Sequence, residues 1–359
     1  MQKINAKRWL SGILAAILLL AVFPLGTFAE EGDLTITTKE ELLQFAQSVS
    51  GGESYTGKTV VLAANLSLAG EDFAGIGSSA APFKGTFDGQ NHIVSDLSSS
   101  VGFFADVNGG TVKNLIVRGM VNGASNIAGV VGKLTAGAVQ NCGNEASVSG
   151  GANVGGVVGS VNGDCAVSGC YNSGAVSGTT GYIGGVTGQH WRAGTVENCY
   201  NIGTVSGPAT VGGITGGHKA SSPVLRNCYS AGAVVDTAGN QNNIGAVIGA
   251  TRGTNENCYF LSGCGTNDKT GITEVSSLSA AQLGDVFRAD EDGINGGLPV
   301  FAWQVKQPDL IITTYEALKS FAEAVSGGES YEGKLVRLGA NITLGGKSNP
   351  WTPIGTASA

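Results

Sequence analysis

Gly194-Thr195-Val196-Glu197-Asn198-Cys199-Tyr200 belongs to a series that runs through the middle of this 359-residue chain. Three periods upstream the same pattern reads Gly110-Thr111-Val112-Lys113-Asn114-Leu115-Ile116. Its asparagine recurs at Asn114, Asn141, Asn198, Asn227 and Asn257, with Gly169 in the remaining slot, so the spacings are 27, 28, 29, 29 and 30 residues. A second signature keeps step: Gly129-Val130-Val131-Gly132, Gly156-Val157-Val158-Gly159, Gly185-Val186-Thr187-Gly188, Gly213-Ile214-Thr215-Gly216 and Ala246-Val247-Ile248-Gly249. Each period holds short runs of strand-forming residues separated by Gly, Asn and Ser turns. None contains a helical period. A unit this small cannot bury its own apolar face, so successive units must stack. The pattern predicts an all-β fold, a β-solenoid of about 28-residue coils lying ~4.8 Å apart. The coils are expected to be parallel, and right-handed by analogy with strand crossovers.

Composition agrees. Glycine supplies 59 residues, more than double the usual ~7%, and charged residues 13%, half the usual ~25%. With 42% hydrophobic residues the chain is not a disordered one. The glycines do not fall every third residue and there are only 8 prolines, which excludes collagen. A helical bundle is disfavoured because each interior glycine costs a helix ~1 kcal/mol.

The ends of a solenoid expose unpaired backbone and need covers. At the front, Thr37 and Glu40 have capping-box spacing, followed by Leu42, Phe45, Ala46 and Val49 on one helical face. At the back, Ser279 and Gln282 repeat that spacing ahead of Leu283, Val286 and Phe287, and Leu298-Pro299-Val300-Phe301-Ala302-Trp303 offers an apolar plug. The front then recurs: residues 36–68 align with 312–344 at an offset of 276, with 21 of 33 positions identical. The expected organisation is a module over 30–305, with an N-terminal cap (34–68), coils (69–265) and a C-terminal cap (266–305). Residues 306–359 open a second, incomplete module, which suggests a longer parent protein or a truncated gene copy.

Residues 1–29 have the layout of a secretory signal peptide. Lys3, Lys7 and Arg8 form the basic region, an apolar run spans 9–25, and Thr27-Phe28-Ala29 offers a cleavage site. Without those three cations, 17 basic residues face 27 acidic ones, a net charge of −10. That balance argues against nucleic acid as a partner. No membrane partner is expected after cleavage.

The Gly-Gly-Val-Val-Gly type segments and Asn198-Cys199-Tyr200-Asn201-Ile202-Gly203-Thr204-Val205-Ser206-Gly207 resemble the GLUG repeats of bacterial surface proteins. Phe83-Lys84-Gly85-Thr86-Phe87-Asp88-Gly89-Gln90-Asn91-His92 is similar to the segment that opens such arrays. The resemblance covers about 34–305 and 310–359. It implies a β-helical module of a secreted or wall-associated protein, of the kind found N-terminal to the peptidase of IgA-cleaving metallopeptidases. It supplies no catalytic residue.

Other motifs read as structure. Gly52-Glu53-Ser54-Tyr55-Thr56-Gly57-Lys58-Thr59 matches the P-loop pattern, but a helix precedes it and a strand follows, the reverse of the order that aims a helix N-terminus at phosphates. No nucleotide is expected. Cys142, Cys170, Cys199, Cys228 and Cys258 keep the repeat phase and read as a buried ladder rather than a disulfide framework, with Cys165 and Cys264 off the ladder. The asparagine column reads as a stacked turn. His92, His190 and His218 sit in unrelated sequence contexts, and neither a zinc-peptidase nor a serine-hydrolase motif occurs. Asp290-Glu291-Asp292-Gly293-Ile294-Asn295 is out of register for a calcium loop and reads as a polar turn.

These readings lead to an exported cell-surface module for adhesion or ligand binding, or a spacer, with no catalysis of its own and no cofactor. A glycan or a surface protein of a host or neighbouring cell is the expected partner. The alternatives are a β-helical polysaccharide enzyme, with Asp88 and Asp96 as carboxylates that would pair across coils, and the non-catalytic front of a larger secreted metallopeptidase. Tyr171, Tyr200, Tyr229 and Tyr259 each follow a ladder cysteine. If the cysteines point inward, alternation turns these tyrosines outward as an aromatic binding stripe.

Overall fold

The computed structural model describes residues 34–359 except 240, 242, 267–268, 306–309, 332–333, 335, 345–353 and 355–359. The signal-peptide reading of 1–29 lies outside the described residues. The chain divides into two compact units, Met1–Phe287 and Arg288–Ala359. The expected cap 266–305 spans that division.

In the first unit the short apolar runs pair in parallel, coil upon coil, and form a β-solenoid. The repeat phase sets the register. Val148, Val176, Val205 and Val234 lie in one column, and Val154, Ile183, Val211 and Ile244 in another. Their side chains fill a continuous apolar interior. Such columns are the reason identical residues recur: a side chain that packs well in one coil packs well on its own copy in the next.

The asparagine column takes the left-handed backbone conformation at Asn114, Asn141, Asn198, Asn227 and Asn257, with φ between 50° and 54°. Gly169 fills its slot at φ 63°. Asparagine tolerates this region because its short amide bonds locally. Here the amides also ladder between coils. Asn141 Nδ2 donates to Asn114 Oδ1 at 3.2 Å and Asn257 Nδ2 to Asn227 Oδ1 at 2.9 Å.

A second ladder is fully buried: Asn144 Nδ2 donates to Asn172 Oδ1, and Asn172 Nδ2 to Asn201 Oδ1, both at 2.7 Å. It accounts for the leading glycine of the second signature. A Cβ at Gly129, Gly156 or Gly185 would run into the amide of Asn144, Asn172 or Asn201.

All seven cysteines are free and buried. The five in phase stack as expected, and each thiol donates to the carbonyl two residues before it, as Cys199 Sγ does to Glu197 O at 3.1 Å. Burial pushes the Cys142, Cys199 and Cys228 thiols well above their ordinary pKa. They are packing groups rather than nucleophiles.

The front cap is a strand, Leu34–Ile36, then helix α1, Lys39–Ser50, then a strand, Thr59–Leu62, that pairs in parallel with the first. Leu42, Phe45, Ala46 and Val49 are buried as expected, and Phe45 packs on Phe83 and Phe87. The capping box is one residue later than the spacing suggested. It joins Thr38 and Glu41: Glu41 N donates to Thr38 Oγ1, while Glu41 Oε2 accepts from Thr38 N and Thr37 N. Two threonines precede two glutamates, so spacing alone does not choose; Thr38 is the residue with the extended backbone an N-cap needs (φ −126°, ψ 160°). At the back, Ser279 and Gln282 form the expected box on the one-turn helix α2, Ala280–Leu283. Leu283 and Phe287 are buried, whereas Val286 is exposed.

In the second unit the strands Leu310–Ile312 and Val336–Leu338 pair as Leu310↔Val336 and Ile312↔Leu338, and helix α3, Tyr315–Ser326, lies between them in sequence. These are the pairings Leu34↔Val60 and Ile36↔Leu62 moved by the same offset of 276. The repeated sequence refolds the same cap. Among the described residues no helix is long and apolar enough to cross a membrane.

Candidate ligand groove

The expected tyrosine column exists, but it is not a surface. Tyr171, Tyr200, Tyr229 and Tyr259 align in register. The first three rings stack with centroids 5.4 and 4.9 Å apart. Yet Tyr171, Tyr200 and Tyr229 are only 5%, 1% and 0% exposed, and Tyr259 is half-buried. Side-chain alternation holds along a continuous strand, whereas Tyr171–Asn172, Tyr200–Asn201 and Tyr229–Ser230 are two-residue strands in which both side chains are buried. Stacking covers the ring faces. At one end of the stack Gly143 leaves the space the Tyr171 ring occupies, since a Cβ there would fall on it. At the other, Phe287 lies across Tyr229 at 5.8 Å. The Tyr171 hydroxyl donates to Glu145 Oε1 at 2.6 Å, and burial with that carboxylate raises its pKa. The outward stripe is therefore corrected to a buried structural ladder.

The catalytic alternatives fare as follows. Asp88 and Asp96 are not brought together as a pair. Asp88 accepts from Asn114 Nδ2 at 2.9 Å and meets Lys113 Nζ at 3.1 Å, at the head of the asparagine ladder. Asp96 accepts from the Ser67 and Ser95 hydroxyls. The P-loop-like residues form the turn that follows the C-terminal end of α1 and leads into Thr59–Leu62. Asp290 accepts backbone N–H groups from Ile294, Asn295 and Gly297, as expected of a polar turn. Among the described residues no three His, Cys, Asp or Glu side chains gather as metal ligands.

The histidines are a different matter. His190 and His218, expected to sit in unrelated contexts, in fact each stand two residues after the closing glycine of the second signature (Gly185-Val186-Thr187-Gly188-Gln189-His190 and Gly213-Ile214-Thr215-Gly216-Gly217-His218). They face each other in adjacent coils of the first unit, with ring centroids 5.6 Å apart. Both rings are buried, and none of their four nitrogens has a hydrogen-bond partner. Burial lowers the pKa of His190 to about 3, helped by repulsion from His218, and burial alone lowers that of His218 to about 4. The rings are neutral at pH 7.

Immediately beyond this pair the chain reaches the surface at Trp191 and Lys219, and a shallow groove of about 630 Å³ opens there. Three columns build it. The first is a row of left-handed residues, Asn126, Asn153 and Tyr182, which continues beyond the groove as Thr210 and Asn243, all with φ from 53° to 63°. The second places Gln189 over Ser160. The third follows the strands Val158–Val161, Thr187–His190 and Thr215–His218 with Asn162, Trp191 and Lys219. Trp191 is 47% exposed, the largest side chain among the exposed hydrophobics of the described residues. Lys219 Nζ lies over both rings, 4.5 Å from the Tyr182 centroid and 5.2 Å from that of Trp191.

Tyr182 stands where the column otherwise places asparagine or threonine. A bulky residue at φ 63° is strained by about 1–3 kcal/mol, and such strain collects at functional sites. Gln189 is only 3% exposed and its Oε1 has no partner, although it lines the groove. These residues did not stand out by motif. The signal was their departure from the repeat: Ser160-Val161-Asn162-Gly163 becomes Gln189-His190-Trp191-Arg192 one coil later.

No protein-family model matches the chain, and no curated protein sequence matches it. Among solved structures, the crystal structure of a Bacteroides ovatus protein described as a "putative immunoglobulin A1 protease" is similar in fold. The TM-score is 0.60 at 21% sequence identity, over 77% of this chain and 94% of that one. The likeness shows the solenoid fold.

Proposed function

We propose that this chain is an exported bacterial surface module of the GLUG-repeat type that binds a glycan in the Tyr182–Trp191–Lys219 groove and has no catalysis of its own. The observation that carries the reading is a strained tyrosine beside an exposed tryptophan, above a row of amides, on an otherwise regular wall. Aromatic rings offer an apolar face to the C–H side of a sugar, and Asn126, Asn153, Asn162 and Gln189 offer amides to its hydroxyls. No Asp, Glu or His lines the groove, whereas glycoside hydrolysis uses a pair of carboxylates. Export is supported by residues 1–29 and by the fold likeness to a bacterial protein described as a protease.

The test is a glycan array probed with the wild-type chain and with Trp191→Ala. Wild-type binding that the substitution removes, with the melting temperature unchanged, supports the reading. Binding to no glycan, or equal binding by both proteins, overturns it. That same fold likeness also favours a second reading, the accessory region of a secreted peptidase. Incubation with immunoglobulin A1 tests it: as an accessory region this chain leaves the heavy chain intact, and cleavage would refute both readings.

A further inference from the structure

We infer that the groove selects a carboxylate-bearing glycan, an inference that rests on the glycan-binding reading above. The first ground is charge. The chain carries a net charge of −7, yet the groove is lined by Arg192 and Lys219 and by no acidic residue. Four other cations of the first unit stand against carboxylates of neighbouring coils, Arg118 on Glu145, Lys133 on Asp106, Lys113 on Asp88 and Arg226 on Glu197, while Lys84 and Arg252 stand alone among the described residues. What marks Arg192 and Lys219 is that they line one groove together. Arg192 and Lys219 have no such partner among the described residues. An acidic protein that leaves two cations together without a carboxylate presents a seat for an anion from outside.

The second ground is how Lys219 is held. Its ammonium sits over two aromatic rings, which attract it but accept no conventional hydrogen bond. Its N–H donors therefore remain available in a fixed place. The Arg192 guanidinium in the same lining offers a planar fork suited to a carboxylate.

The third ground is the floor. Gln189 Oε1, buried and unpartnered, is placed to accept from a hydroxyl. Beside it Asn153 Nδ2 donates to Asn126 Oδ1 and Asn162 Oδ1 accepts from Ser160 Oγ, so these amides offer a sugar their remaining donor and acceptor sites. Asn126 and Asn153 stand one coil apart in the groove, ~4.8 Å, close to the length of one pyranose residue in a chain. A peptide fits less well. The strands beneath the groove are paired on both sides, so no free edge is present for an added strand.

The probe pair that isolates the charge is trigalacturonate and its fully methyl-esterified twin, which share rings and hydroxyls. Calorimetric titration into the intact chain is expected to give at least about tenfold tighter binding of the acid, consistent with one charge-assisted contact. That preference should shrink between about 0.05 and 0.5 M NaCl. Lys219→Met is expected to remove the preference while the ester still binds, and Trp191→Ala to weaken both probes about tenfold. Both side chains reach solvent, so the melting temperature of each variant checks that folding is intact. Equal affinity for acid and ester overturns the inference and leaves the glycan-binding reading standing. Loss of the acid by a route that neither substitution affects, or binding of neither probe, also overturns it, and the glycan array then decides the wider reading separately.

Discussion

Lowering the pH from about 7 to 5 protonates His190 and His218 in the unfolded chain but not in the folded one. In the solenoid both rings are buried without hydrogen-bond partners, and their pKa values fall from 6.5 to about 3 and about 4. Well above pH 6.5 both states carry neutral rings and the stability is complete. Below 6.5 the unfolded chain takes up protons that the folded chain refuses, so stability is lost as the pH falls toward 4 and then 3. At pH 5 the loss is governed by the unfolded pKa and amounts to about 2 kcal/mol per ring, or roughly 4 kcal/mol for the pair. That is a large part of the ~5–15 kcal/mol that holds a typical domain together. Urea denaturation at pH 7 and pH 5 measures it. The control is His190→Val with His218→Leu, because Val161 and Leu134 already occupy the same column in earlier coils. The double variant should lose far less stability between the two pH values and be the more stable protein at pH 5. Equal losses in the two proteins would refute the burial argument.

Tyr200→Ser should cost roughly 3–5 kcal/mol in urea denaturation, the range for emptying a buried aromatic site; a change within about 0.5 kcal/mol, as at an exposed position, would contradict the buried ladder. Asn172→Ala removes one of the two bonds of Asn144 Nδ2, which keeps Ala146 O, and one of the two bonds of Asn201 Oδ1, which keeps Gly203 N, so it should destabilise by about 1–3 kcal/mol in all. Asn141→Ala, in the part-buried ladder, is the milder comparison. The seven cysteines should react with a thiol reagent only after denaturation, and a native mass lower than the fully reduced value would instead reveal disulfides.

The architecture was legible because a solenoid is nearly one-dimensional. Residues one period apart must stack, so the phase of Asn141, Cys199 and Val205 already stated their neighbours. The inward cysteine ladder and the asparagine corner follow from that phase, and the repeated cap around α3 follows from the 276-residue offset. Less could be read within a coil. The choice between Thr37 and Thr38 as N-cap depends on a backbone torsion that spacing does not encode.

What sequence alone determined, then, is which residues share a column; what only the tertiary structure decided is whether that column faces water. Tyr171, Tyr200 and Tyr229 align as the phase predicts but do not turn outward, because at a two-residue corner strand both residues that follow the ladder cysteine are buried. His190 and His218 each stand two residues after the closing glycine of the second signature, so the phase aligns them, but only the structure shows that their column is buried and the rings meet. Trp191 and Lys219 share one column and Tyr182 stands in another, and the three meet only where the wall of the solenoid folds those columns onto one groove. Periodicity fixes neighbours along the stack, but burial depends on how the chain bends between strands, and that is a property of the closed coil.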